Sequence, residues 1–376
     1  MLTPVPFFSG ADSIRRNWPS LEPRLRTVAE SGRFTAHAAV AELEAAISGY
    51  TGAKYAVACN NGTDALILML RAAGIGPGDE VIVPAYTFFA TVSAVLHVGA
   101  EPVIVDVLPG SFAMDPDKAG AAVSPRTKAI MPAHMFSQTA DLLALREVAQ
   151  HSGAQLLEDS AEAIGMWVDG VHAGLWGRAG VLSFFPTKTL GALGDAGMLI
   201  TNDDGIAARV RAARCHGQAE DGAYVYESLG WNSRCDELQA AMLLSRLETL
   251  DAEIVRRAEL AARYTERLAD VVDTPWLAPA ERPSNQVWYV YLIEADHRDE
   301  LVAFLDANGI GTEVYYPLSL SEQPALRDLP GAQLPTPVAT GASRRAVGLP
   351  LYPDLTDAQV DRVCDLITRF HREVSR

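Results

Sequence analysis

The chain has 376 residues, 49% hydrophobic and 21% charged, which provides enough apolar content for packed cores and excludes a disordered chain. Against 31 basic side chains stand 47 acidic ones, and the resulting formal charge of −16 disfavours a nucleic-acid partner, whose binding draws on basic surface. Its apolar runs fall far short of a membrane span, and its four scattered cysteines (Cys59, Cys215, Cys235, Cys364) show no C-x-x-C spacing.

The start, MLTPVPFFSG, lacks a basic stretch ahead of an apolar one, so a secretory leader is not expected and the cytoplasm is the expected compartment. The length exceeds one ordinary hydrophobic core, which predicts a large domain over 1–250 and a smaller one over 251–376. From Lys54 onward short strand-like runs alternate with helical patterns. Lys54 to Ala58 reads as a strand and Thr63 to Ala73 as the helix after it. Further strands are expected at Glu80 to Val83, Pro102 to Val107, Lys128 to Met131, Gln155 to Leu157, Val181 to Phe185 and Gly197 to Thr201. Helices are expected at Thr91 to Val98 and Asp141 to Gln150. Continuous apolar runs suit strands covered on both faces, so the pattern predicts βαβ units and a mostly parallel sheet. Leu247, Leu250, Ile254, Ala258 and Ala261 form one apolar stripe, which predicts a long helix after Arg234. Beyond it, strands at Val287 to Glu294 and Gly311 to Tyr316, with helices at Arg298 to Ala307 and Thr356 to Val374, suggest a compact α+β unit. Thr356 and Gln359 have the spacing of a capping box.

Four local patterns bear on chemistry. Asn60-Asn61-Gly62-Thr63-Asp64 follows a strand and opens a helix, where free N–H groups and the helix dipole suit a phosphate; the pattern also fits an ordinary N-capped turn. Glu158-Asp159-Ser160-Ala161-Glu162 ends an apolar strand, so Asp159 suits either a protonated ring nitrogen or a helix N-cap completed by Glu162. Lys188 closes Ser183-Phe184-Phe185-Pro186-Thr187-Lys188, ahead of closely spaced glycines. A partly desolvated lysine there would have a lowered pKa and act as an imine-forming amine; the alternative is a surface lysine. Asn232 and Arg234 lie on a loop before a helix, as anion donors or as helix-start residues.

In this order the motifs resemble the DegT-type sugar aminotransferases, a branch of the fold type I pyridoxal phosphate (PLP) enzymes. The resemblance spans essentially the whole chain. It is carried by NNGTDAL at 60–66, GPGDEVIVPAYTFFAT at 76–91, EDSAEAIG at 158–165, SFFPTKTLGALGDAGMLIT at 183–201, GWNSRCDELQAAML at 230–243 and GIGTEVYYP at 309–317. It implies an α/β large domain with a mostly parallel seven-stranded sheet, and a small C-terminal α+β domain. It implies that Lys188 holds PLP in an imine and shuttles a proton, and that Asp159 pairs with the pyridine nitrogen. Gly62, Thr63 and Ser183 would bind the phosphate, Phe88 would stack on the ring, and Glu162 would stand near the phenolic oxygen. Asn232 would reach the phosphate of a neighbouring subunit in a homodimer with shared sites, while Tyr315, Tyr316 and Arg234 would face substrate.

The resemblance implies transfer of an amino group, with L-glutamate as donor, to a dTDP- or UDP-linked keto-sugar, and GIGTEVYYP leans toward a 3-keto group. Cyclitol amination is an alternative within the fold. A PLP- or PMP-dependent sugar dehydratase would carry histidine in place of Lys188, and a non-catalytic regulator would have no use for the amine. Departures from the family pattern occur within Thr35-Ala36-His37-Ala38, where relatives often have a Gly-Pro pair, at Ser137 for a common glycine, and near Ser321 for a common histidine. They surround the substrate pocket, not the PLP site.

Overall fold

The computed structural model describes residues 3–219, 224–275 and 285–374. Two helices, α1 (Ala11–Ser31) and α2 (Ala38–Thr51), come first. There follow β1 (Tyr55–Cys59), α3 (Gly62–Ala72), β2 (Glu80–Pro84), α4 (Phe89–His97), β3 (Glu101–Val105), α5 (Pro116–Ala121), β4 (Thr127–Ile130), α6 (Leu142–Ser152) and β5 (Gln155–Asp159). A small hairpin, β6 (Trp167–Val168) and β7 (Val171–His172), leads to β8 (Ala179–Ser183), β9 (Gly197–Thr201) and α7 (Asp204–Ala213). The remaining elements are α8 (Glu237–Leu247), α9 (Leu250–Leu268), β10 (Tyr291–Glu294), α10 (Arg298–Ala307), α11 (Pro337–Arg345), β11 (Ala346–Leu349) and α12 (Asp357–Val374).

Seven strands form one sheet in the order β1-β9-β8-β5-β4-β2-β3. Only β9 runs against its neighbours, pairing antiparallel with both β1 and β8. The sheet is covered on both faces, as the apolar runs require: Val57 and Cys59 enter one core while Ala56 and Ala58 enter another. Val81 and Val83 likewise part from Ile82. Each buried Leu, Ile or Val contributes about 1.5–3 kcal/mol through removal from water.

Three expectations are corrected. The long helix is two, because Thr249 leaves helical geometry with φ −110° and ψ 0° and its hydroxyl turns back onto the Arg246 carbonyl at 3.2 Å. The apolar stripe persists across the break, from Leu250 in a sheet-side core to Ala261 in a core built with Tyr264, Leu301 and Ile367. Gly311 to Tyr316 is no strand; only Glu313 bridges to Gly348, and the strand that pairs with β10 is β11. Finally, Val287 to Val290 are drawn off the sheet by bonds to the 136–137 turn, where the Tyr289 N–H donates to the Phe136 carbonyl at 2.8 Å. The capping box stands: the Gln359 N–H donates to Thr356 Oγ1 at 3.2 Å, and the Thr356 N–H donates to Gln359 Oε1 at 2.9 Å.

Candidate active site

Parallel strands that end at one edge bring their following loops together. At the carboxyl ends of β1, β2, β5 and β8 lies a cavity of about 730 Å³, bordered by Gly62, Thr63, Phe88, Asp159, Glu162, Ser183, Lys188, Tyr315 and Tyr316. Nine of the sequence-expected residues therefore meet here. Asn232 and Arg234 do not border the cavity of their own chain. Their loop lies against its flank, where Ser233 Oγ accepts the Asn60 N–H at 3.3 Å, and Asn232 is exposed.

The first turn of α3 forms one wall. Asn61 is its N-cap, accepting the Asp64 N–H at 2.7 Å, so the capped-turn reading holds and does not exclude an anion at the same turn. Capping leaves the N–H groups of Gly62 and Thr63 without intrahelical partners. Ser183 lies across from them: a Cβ on Gly62 would sit 3.0 Å from the Ser183 Cβ. Behind, Gly197 touches the turn so closely that a Cβ there would stand 2.4 Å from the Asn61 carbonyl carbon.

At the other end, Asp159 is buried. Its Oδ2 accepts the Thr91 hydroxyl at 2.7 Å and its Oδ1 the Ala161 N–H at 3.2 Å. Burial pushes its pKa up, against the pull of those two bonds and of Lys188. No helix starts here, so the N-cap alternative is set aside; Glu162 faces the lysine instead. Glu162 Oε1 accepts from Lys188 Nζ at 2.8 Å and Oε2 from the Phe136 N–H at 2.6 Å. The expected lowering of the Lys188 pKa is also corrected. Burial does act to lower it, but Glu162, Tyr289 and Asp159 outweigh burial and the net shift is upward. The Lys188 side chain is only 14% exposed, which removes the surface-lysine alternative.

Aromatic rings line the mouth. Phe88 is 58% exposed beside Tyr316, with ring centroids 6.3 Å apart. The Tyr86 hydroxyl accepts the Tyr316 N–H at 3.1 Å and donates to the Tyr315 carbonyl, which fixes both tyrosines against the cavity. Sequence reasoning missed Thr91, Tyr289 and the Phe136 backbone. Thr91 stands inside the quoted 76–91 motif and Phe136 closes TKAIMPAHMF at 127–136, a further segment of the resemblance; nothing in the local sequence marks Tyr289.

These residues fit PLP. The open N–H groups and the Ser183 hydroxyl suit its phosphate, the buried Asp159 carboxylate its ring nitrogen, and the Lys188 amine its aldehyde. Among the described residues no cluster of His, Cys, Asp and Glu is arranged to hold a metal.

A model of the DegT/DnrJ/EryC1/StrS aminotransferase family matches residues 20–368. The chain belongs to that family. Among its relatives, a "pleiotropic regulatory protein" of Geobacillus stearothermophilus is 42% identical over 98% of this chain and 99% of its own length. The UDP-2-acetamido-2-deoxy-3-oxo-D-glucuronate aminotransferase of Pseudomonas aeruginosa is 38% identical over 93% of this chain and 95% of its own. The crystal structure of DesV of S. venezuelae in complex with a ketimine intermediate matches with a TM-score of 0.94 and 36% identity, covering 98% of this chain and 99% of that one. The α/β fold with its mainly parallel sheet is thus that of the DegT/DnrJ/EryC1/StrS aminotransferases.

Proposed function

We propose that the chain is a PLP-dependent aminotransferase that converts a dTDP- or UDP-linked 3-keto sugar to an amino sugar, with L-glutamate as amino donor. The observation that carries this reading is the meeting of Lys188, Glu162 and Asp159 in one cavity opposite the open turn of α3. The name of the Pseudomonas aeruginosa relative, with its 3-oxo sugar, supports the position of the ketone.

When bound, PLP supplies a carbonyl that accepts and returns an amino group and a ring that takes up electron density. Gly62, Thr63 and Ser183 would hold its phosphate, and Phe88 would pack on its ring. Asp159, already dehydrated, keeps a proton on the ring nitrogen. Lys188 would anchor the cofactor through Nζ and, once that amine is free and neutral, would be placed to take up and give back the proton of the donor's α-carbon. Glu162 holds that amine in place between transfers. Tyr315 and Tyr316 face the sugar.

The cavity's own lining carries Asp64, Asp159, Glu162, Asp195 and Glu313 against the single amine of Lys188. Glutamate and a nucleotide diphosphate are anions, so further donors are needed. We assign them to a second copy in a homodimer, with Asn232 at the phosphate and Arg234 toward substrate. Phe88 and Phe185, which border the cavity and are exposed, support an interface at this mouth. Four free cysteines fit the reducing cytoplasm, and we place the boundary between large and small domains near residue 250.

A regulatory reading is favoured only by names, that of the Geobacillus relative and that of the "erythromycin biosynthesis sensory transduction protein EryC1" of Saccharopolyspora erythraea. Assay of the PLP-loaded protein with L-glutamate and a panel of dTDP- and UDP-linked 3-keto and 4-keto sugars, with an inosose alongside, tests the function. Turnover of a 3-keto nucleotide sugar is expected. Turnover of the inosose alone would contradict the substrate class, and a protein that takes up no PLP would favour the regulator.

A further inference from the structure

Tyr289 has no part in the proposed chemistry so far, yet it touches the central amine. Its ring centroid lies 4.3 Å from Lys188 Nζ, and its hydroxyl shares a hydrogen bond with Thr187 Oγ1 at 2.9 Å, one residue before the lysine. We propose that Tyr289 is a positioning residue for Lys188, its ring face holding the lysine amine whenever that amine is not bonded to the cofactor. The proposal rests on Lys188 being the cofactor lysine.

The support is built into the backbone. Phe136 donates its N–H to Glu162 Oε2 at 2.6 Å and accepts the Tyr289 N–H at 2.8 Å on its carbonyl. Both groups that hold Nζ are therefore fastened to one residue, and their spacing is set by one peptide unit on each side. Phe136 adopts φ +63°, unusual for a residue with a Cβ, and this conformation persists where bonds and packing over-determine it. From behind, the buried Arg257 donates through Nη1 to the carbonyls of Trp288 (3.2 Å), Tyr289 (3.3 Å) and Leu351 (2.8 Å). One guanidinium nitrogen thereby ties the segment that carries Tyr289 to Leu351.

The arrangement matters because the amine must leave the cofactor and return to the same place in each half-reaction, and small misplacements of a reacting group are costly. A negative ring face attracts an ammonium. The charged and titratable groups facing Nζ are Glu162, Asp159 and Tyr289, with Tyr315 and Tyr316 beyond. The ring adds to the effect of the two carboxylates in favouring the protonated amine.

The test is the rate at which the apoprotein captures added PLP, followed by absorbance as a function of pH, since only the neutral amine reacts. Tyr289→Phe keeps the face and should titrate as the parent does. Tyr289→Leu removes the face, and the midpoint should fall by about half a pH unit to one. Phenylalanines of increasing ring fluorination at position 289 keep the size while weakening the face, so they remain informative if Tyr289→Leu fails to fold; the midpoint should fall stepwise. A parent-like midpoint throughout the fluorinated series would overturn the proposal, as would Tyr289→Phe moving as far as Tyr289→Leu. Borohydride labelling of each variant separates the two levels: label away from Lys188 in the parent defeats the underlying assignment, whereas label on Lys188 with unmoved midpoints defeats only the role of Tyr289.

Discussion

Lys188 and Glu162 form a buried ion pair, Nζ to Oε1 at 2.8 Å, with side chains 14% and 4% exposed. A buried pair of this kind is weak evidence for stability, because desolvation offsets most of the attraction. Its consequence here is chemical. Glu162 favours the ammonium form of Lys188 and so delays the point at which the amine can act as base.

Glu162→Gln is therefore expected to lower the Lys188 midpoint by about one pH unit or more. The amide oxygen can still accept from Phe136, so the frame persists while the charge is lost. The acidic limb of the kcat–pH profile should move to lower pH. Movement to higher pH, or none, would show that Glu162 does not set the protonation of the lysine.

Asp159→Asn keeps the shape of the residue and the Thr91 contact but removes the charge that holds a proton on the cofactor ring. PLP should still bind, as its visible absorbance would report, while turnover falls on the order of 100-fold or more. Near-parental turnover would leave Asp159 with only its structural bonds to Thr91 and Ala161.

Gly197→Ala would put a Cβ 2.4 Å from the Asn61 carbonyl carbon and 2.6 Å from the Gly62 nitrogen. These are backbone atoms and cannot swing aside, so the phosphate turn must shift. We expect a loss of about 1–3 kcal/mol in apoprotein stability, measured by urea unfolding, together with weaker PLP retention. Gly341→Ala serves as control, because nothing lies within 4 Å of the added carbon.

The parallel sheet was legible because each strand carries a run of apolar residues matched to two covered faces, and the site was legible because its loops follow those strands directly. Lys188, Asp159 and the Gly62 turn are all of this local kind. What escaped depends on distant partners or broken patterns. Helix α1 contains Pro19 and Pro23, which remove backbone donors and disguise a 21-residue helix. The strand β11 is recognisable only through its pairing with β10, 55 residues earlier from Tyr291 to Ala346. Tyr289 reads as one aromatic in an apolar run, and its place beside Lys188 comes from a bond to Phe136 more than 150 residues away in sequence. The fall in the lysine pKa expected from burial was reversed by Glu162, a residue read as a helix cap or an uncertain cofactor contact.

Subunit mixing tests the shared site. Lys188→Ala and Asn232→Ala should each be inactive alone, and mixed dimers should regain activity by pairing an intact Lys188 from one chain with an intact Asn232 from the other. Statistical exchange makes half the dimers mixed, each with one intact site, so about a quarter of parental activity is expected. No recovery after proven exchange, or full activity of a monomer, would contradict the shared site.

The most direct test of the account is reduction of the PLP-loaded protein with borohydride followed by peptide mapping. A single pyridoxyl label on Lys188 is expected, absent from Lys188→Ala, which should also lose nearly all transamination. A label on Lys54, Lys118 or Lys128, or none at all, would contradict it.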